Sequence, residues 1–463
     1  MMDPAALATL QAQLTGEVVL PNSDPYDDLR QLSNGRYDRH PALIVCPSNT
    51  QDVALAVQFA QAYQLPLALR SGGHSAIGAS VNDAGMTLDL RRLNQVEIDL
   101  ATHTVQVGSG ATVGLVSQAL QEHGLAVPFG AISSVGVGGI TTGGGFGWLM
   151  RKYGLTIDNL VAAEIVTADG VIRHVDANTD PDLFWAIRGG GGNFGVVTRF
   201  TYQAHAIGTM VYSGPLVITL DNAVAALQAL REFAPTIPDE LTLWATFAAL
   251  PPMPPFPPHL HGQAVLLLEG CYVGDLERGA QVLAPLRAAV SAELDLMGPM
   301  PYMVRMTMID GMAHPGFHHE ATNTFLHSLP DTAIETLVAQ VAAMTTPLIA
   351  VQVAPIGAAV ARVLPDATAF AHRDAAYLLW LPLAWTPDSS AADAARHTRW
   401  MVDTLMAMQP YSTGGAYGNA LGGEDADAVQ RAYPPTTYAR LQTIKQSYDP
   451  ANVFQGYPPI LPA

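Results

Sequence analysis

The sequence predicts an α+β protein in two regions, and three observations predict it. Residues 41–70 read strand, helix, strand and run directly into a glycine pair. Short strands and three glycine clusters fill the chain up to about residue 205. From residue 206 the dense glycine clusters stop, and amphipathic helices alternate with longer strands.

The opening unit has a strand at 42–45 and another at 67–69, both short and apolar. Between them, Ser48, Asn49 and Thr50 offer N-cap oxygens, and Val53, Ala56, Val57 and Ala60 recur on one helical face. Strands follow at 86–90, 95–99 and 104–108, then a helix over 112–123. A glycine-rich stretch follows at 130–147. Segments 160–167 and 171–175 form a hairpin around Asp169-Gly170, a pair that supplies a tight turn. A helix at 182–187 precedes a third glycine cluster, which leads into a strand at 196–201.

In the second region, 241–250 and 264–273 read as paired strands. The six prolines among residues 251–258 cannot donate to a ladder and make a stiff tip between them. Helices are predicted at 275–289, 331–344 and 391–408, with strands at 348–353 and 376–384. The tail from 411 holds a glycine-rich turn and a helix at 437–448.

Composition narrows the function. Of 463 residues, 49% are hydrophobic, enough for a large core. Lys plus Arg number 22 against 40 Asp plus Glu, a net charge of −18 that repels phosphate backbones and argues against nucleic-acid binding. Two cysteines, Cys46 and Cys271, cannot make a disulfide scaffold or a cysteine-rich metal site, and both are expected as free thiols. No run has the length and apolarity of a membrane span, and the first residues carry no basic segment before an apolar one, so a cytoplasmic, soluble protein is expected. His314, His318, His319 and Glu320 cluster in sequence, but adjacent histidines point apart and a metal is not expected.

The glycine clusters carry the chemistry. They read RSGGHS from Arg70, GVGGITTGGGFG from Gly136 and RGGGGNFGVV from Arg188. None is a phosphate-loop GxxxxGK[ST], and none stands as strand–GxGxxG–helix. One such cluster reads as a tight turn. Three in one block read as backbone that approaches a ligand closely, and rows of unobstructed N–H groups suit an anion.

Arg70-Ser71-Gly72-Gly73-His74-Ser75 resembles the covalent flavin-attachment motif of the berberine-bridge-enzyme-like oxidoreductases, within the vanillyl-alcohol-oxidase superfamily of FAD enzymes. The resemblance continues through Gly136–Gly139, Gly143–Gly147, residues 151–159, 182–188 and 195–197, and resumes at His372-Arg373, 414–419 and 448–454. It implies a two-part FAD-binding domain of the PCMH type, made by residues 1–205 and completed by the tail 411–463. The inserted residues 206–410 would be an α+β substrate domain, an antiparallel sheet covered by helices. By the same resemblance, His74 binds the flavin's 8-methyl carbon. Arg70, Ser71, Gly72, Gly73 and Ser75, with Val135, Gly136, Gly138, Gly139, Gly143, Gly144, Gly145 and Gly147, surround its pyrophosphate and rings. Asn193, Gly195 and Val197 line the cofactor further along.

Three departures stand out. Many relatives carry a second, cysteinyl anchor where this chain has Ile132, so a single covalent link through His74 is expected. Ile140 replaces a histidine, and Phe454-Gln455-Gly456-Tyr457-Pro458 replaces the family's FRxNQ pattern. Tyr417, in Tyr417-Gly418-Asn419, matches a tyrosine that faces the flavin in sugar and alcohol oxidases of this type and is the expected catalytic base. Val135, a small branched residue three beyond Ile132, suits oxygen access and favours an oxidase. The implied reaction is oxidation of an alcohol, sugar or other hydroxyl-bearing small molecule, with dioxygen reduced to hydrogen peroxide by a monomer or homodimer. An amine or secondary-metabolite oxidase, a dehydrogenase, or a flavin-binding protein without turnover are the alternatives.

Overall fold

The computed structural model describes residues 4–422 and 427–463. Near the N-terminus, strands Glu17–Val19, Leu43–Cys46, Met86–Asp89 and Leu67–Arg70 lie side by side in that order. Leu43–Cys46 and Leu67–Arg70 both run parallel to Met86–Asp89. A parallel arrangement needs a crossover, and helix Thr50–Ala62 provides it. Its cap is Asn49, whose side chain accepts from Asp52 N at 2.9 Å. Asp52 itself is buried, and its carboxylate collects the N–H groups of Thr15, Gly16 and Ser48 at 2.8–2.9 Å. That set of donors satisfies a charge that burial would otherwise penalise.

The helix packs its other side against a five-stranded antiparallel sheet of Val96–Asp99, Thr104–Gly108, Val196–Gln203, Leu160–Val166 and Ile172–Asp176. The hairpin turns at Gly170, with φ of 75°, where Thr167 and Asp169 are hydrogen-bonded at 2.6 Å.

The second region is an eight-stranded antiparallel sheet. Its register places Trp244 beside Glu269 and Thr242 beside Cys271. Alternation then splits the faces. Leu241, Leu243, Ala245 and Phe247 lie in a core with helices Ala223–Phe233, Leu276–Ala289, Asp331–Ala342 and Ala391–Met408. Trp244, Cys271 and Phe325 belong instead to a core shared with the glycine-rich region. The inner face of the large sheet is therefore turned towards the three glycine clusters.

Pattern and structure differ in places. Segment Val137–Gly143 is helical despite its three glycines, because Val137 N bonds to Ala111 O at 2.9 Å and Gly138 N to Ser71 Oγ at 3.3 Å. Tertiary partners thus satisfy donors that begin a helix of poor intrinsic propensity. Strand His318–Leu326 shows no apolar alternation. Its buried polar groups pair outside the strand, Glu320 with Arg36 at 2.9 Å and Thr324 with Ser412 at 2.5 Å. Strand Met210–Thr219 contains Gly214 and Pro215, residues that read as breakers. Cys46 and Cys271 are both free and buried, and burial pushes each thiol up to about 12. Among the described residues no helix is long and apolar enough to cross a membrane.

The tail returns to the first region. Helix Pro435–Tyr448 reaches Lys445, and Phe454 forms a parallel bridge with Leu67.

Candidate active site

The Arg70–Ser75 segment leaves the end of strand Leu67–Arg70 and turns against the second glycine cluster. A Cβ on Gly72 would stand 2.2 Å from Gly136 N, and one on Gly136 would stand 2.2 Å from Gly72 N. Two backbones in such contact leave room only for glycine. Ser71 Oγ donates to Ser109 O at 2.6 Å and accepts from Gly138 N, which ties the two loops together. Arg70 is buried beneath them, with its guanidinium on Leu29 O, and burial lowers its pKa to about 10. Ser75 Oγ caps the loop by accepting from Ala79 N at 3.0 Å.

His74 projects from this loop half-buried, its Nε2 at 3.0 Å from Ser134 Oγ. Burial first, and then the neighbouring His319, lower its pKa; a hydrogen bond to the Ser134 backbone opposes them. Asn34, buried, holds the arrangement from the side. It donates to Ala76 O and His319 O at 3.0 Å and accepts from His319 N at 2.9 Å.

The second cluster curves past this point. Val135 O accepts from Val113 N at 2.8 Å, and Ile140 lies against Gly130, where a Cβ would stand 2.6 Å from its Cδ1. Gly144 and Gly145 follow, Gly145 with φ of 87°. That conformation aims Gly145 N at Tyr417 Oη, 3.2 Å away. A Cβ on Gly147 would stand 1.8 Å from Phe129 O, and one on Gly143 would strike the Asn419 amide. Gly189 N donates to Thr142 O at 2.9 Å and joins the third cluster to the second. There Asn193 is fully buried. It donates to Gly190 O and Pro458 O and accepts from Gly456 N and Ile460 N, so it pins the tail. Gly195 and Val197 continue buried into strand Val196–Gln203.

Tyr417 comes from the other side. It is 5% exposed, and Phe146 stands edge-on to its ring at 5.0 Å. Its Oη accepts from Gly145 N and from Asn419 Nδ2, at 3.2 and 3.1 Å. Burial pushes its pKa up to about 12, against the pull of those two bonds. Its backbone is clamped by Asn323, which accepts from Tyr417 N at 2.7 Å and donates to Tyr417 O at 2.9 Å. The hydroxyl thus sits buried on the second glycine cluster.

Sequence reasoning missed Ser134, Asn34 and Asn323. Each acts on a residue 42 or more positions away, and Asn34 reaches His319 across 285. No local spacing marks such pairs. His318 and His319 do point apart: His318 stands edge-on to Trp385 at 5.9 Å, while His319 Nε2 donates to His314 O at 3.0 Å.

Two regions match family models, residues 41–176 the FAD binding domain and residues 416–460 the model described as berberine and berberine like. Over 467 aligned residues the chain is 30% identical to YgaK of Bacillus subtilis, an uncharacterized FAD-linked oxidoreductase, with 97% of this chain and 98% of the relative covered. The chain belongs to the berberine-bridge-enzyme-like FAD-linked oxidoreductases. This berberine-bridge-enzyme-like protein is also 28% identical to (R)-6-hydroxynicotine oxidase of Paenarthrobacter nicotinovorans, over 96% of both chains. The crystal structure of a glucooligosaccharide oxidase from Acremonium strictum superposes with a TM-score of 0.87 at 25% identity, covering 99% of this chain and 98% of that one.

The residues present fit FAD. Among the described residues, no acceptor faces the N–H groups of Gly72, Gly73, His74 or Ser75, and buried Arg70 Nε and Ser109 Oγ have no partner. At Gly139 nothing lies within 4 Å of where a Cβ would stand. Consecutive unpaired backbone donors are what an anionic pyrophosphate requires.

Proposed function

We propose that this protein is an oxidase that takes hydride from an alcohol, a sugar or other hydroxyl-bearing small molecule, and returns the electrons to dioxygen as hydrogen peroxide. One observation carries the reading: the Tyr417 hydroxyl is buried on the second glycine cluster and accepts two N–H bonds. In this reading residues 1–205 and 411–463 form the FAD-binding unit, and 206–410 supply the substrate pocket. Bound FAD supplies the hydride acceptor and the route of electrons to dioxygen. The Arg70–Ser75 segment holds it by backbone N–H groups, the Val135–Gly147 segment packs along it, and Gly195 and Val197 line its far end, where Asn193 fixes the backbone against the tail.

Tyr417 Oη takes the hydroxyl proton as the C–H bond breaks. Donors from Gly145 and Asn419 offset part of the burial that disfavours charge on that oxygen, and the minor tyrosinate form is the one that acts. Phe146 and Phe370 exclude water from it. A screen of alcohols and sugars for peroxide release tests the function. Turnover of such a compound in air with one peroxide per product is the expected result. Reduction of the protein by amines alone, or with no peroxide, would overturn it.

The FAD is held by one covalent bond through His74, with none at Ile132, a side chain that offers no nucleophile. The purified protein is expected to be yellow, with its colour remaining in the precipitate after acid denaturation. His74→Ala should bind FAD and release it to the supernatant, since the glycine segments supply the other contacts. Colour left in the His74→Ala precipitate would place the link elsewhere.

A further inference from the structure

We infer that Ser134 is a positioning residue for flavin attachment: its hydroxyl holds His74 by Nε2 and leaves Nδ1 as the attacking nitrogen. The inference rests on the covalent link proposed above. A neutral imidazole has one N–H and one lone pair, and the partner of one nitrogen sets the role of the other. Ser134 Oγ stands 3.0 Å from Nε2. Attack from Nδ1 needs its lone pair, so the ring proton resides on Nε2 and is donated to Ser134 Oγ. Burial lowers the pKa of His74 and favours the neutral ring.

Both partners are held. The Ser134 loop is gripped from the large-sheet region, where Asp310 accepts from Ser133 N at 2.8 Å and from Ser133 Oγ at 2.5 Å. Gly114 N donates to Ser133 O at 2.8 Å from the opposite side. The His74 loop is fixed by Asn34 through Ala76 O. Each loop is therefore held by bonds of its own besides the one between His74 and Ser134.

The step balances with dioxygen as oxidant. A bond forms between Nδ1 and the methyl carbon. One C–H bond and the Nε2–H bond are lost as two protons, and two electrons pass to dioxygen, which becomes hydrogen peroxide. The Nε2 proton departs through Ser134, whose side of the loop is open to solvent.

The test compares wild type, Ser134→Ala and Ser134→Thr, each produced under riboflavin limitation and then given FAD in air. Covalent flavin is read by its fluorescence in denaturing gels, and total bound FAD by absorbance. Ser134→Ala should take up FAD but couple about tenfold more slowly, the factor that one lost hydrogen bond represents. Ser134→Thr, which keeps the hydroxyl, should couple near the wild-type rate. Wild-type coupling in Ser134→Ala overturns the inference, as does Ser134→Thr being equally slow. A Ser134→Ala protein that takes up no FAD overturns it too, because the hydroxyl then serves binding. Wild type that never couples removes the covalent reading itself, an outcome visible without either variant.

Discussion

Tyr417→Phe slows reduction of the flavin by substrate by a factor of about 10²–10⁴, the range for a lost general base. Flavin content stays near wild type, and the unfolding midpoint falls by no more than a few degrees. The ring remains against Phe146 and Phe370, so the packing survives. What disappears is an oxygen that accepts from Gly145 N and Asn419 Nδ2. Those two donors lose a partner, a cost of about 1–3 kcal/mol for a buried group, partly recovered where bound substrate offers an oxygen. Anaerobic stopped-flow mixing reads the step directly. The pH dependence has a definite sign. With the phenol pushed up to about 12, tyrosinate is the minor form and grows as pH rises. Wild-type flavin reduction should therefore climb with pH throughout the range below about pH 12, and the climb should vanish in Tyr417→Phe. Equal reduction rates in the two proteins would assign the proton to another residue.

The second large effect lies far from that proton. Lys445 and Asp449 are both fully buried, one turn apart, with Nζ and Oδ2 at 2.6 Å. The ammonium spends its three protons on Asp449, Asn193 O and Phe454 O, at 2.6, 2.7 and 2.6 Å. Asp449 in turn accepts from Val453 N and Phe454 N, at 2.8 and 2.9 Å. This knot binds the tail to the third glycine cluster. Lys445→Met strands a buried carboxylate and two carbonyls, so the folded state should lose about 3–5 kcal/mol, the usual cost of removing one partner of a buried pair. A lower unfolding midpoint and earlier release of the tail to protease are expected. Lys445→Met combined with Asp449→Leu should recover part of the loss, because no unpaired charge remains. Unfolding of Lys445→Met at the wild-type midpoint would show that the knot contributes nothing.

Much of this architecture was legible in the chain. The helix after Asn49, the Asp169-Gly170 hairpin and the paired strands around the proline tip follow from local rules, because caps, turns and alternation act over a few residues. The helix Val137–Gly143 was not, since its stability comes from Ala111 O and Ser71 Oγ. Nor was strand His318–Leu326, whose buried polar side chains are paid for by partners on other elements.

The site divides the same way. By itself the sequence showed glycine clusters that suit an anion, and the roles expected of His74 and Tyr417 came from the resemblance of their short motifs to the family's. Such features depend on residue type and short spacing, and both are written in the chain. Only the tertiary structure decided that Ser134 meets His74, that Asn34 joins Ala76 to His319, and that Gly145 N points at Tyr417 Oη across 272 residues. Hydrogen bonds require donor and acceptor within about 3 Å and in line. No local pattern encodes that proximity, because the packing of two sheets against shared glycine loops creates it.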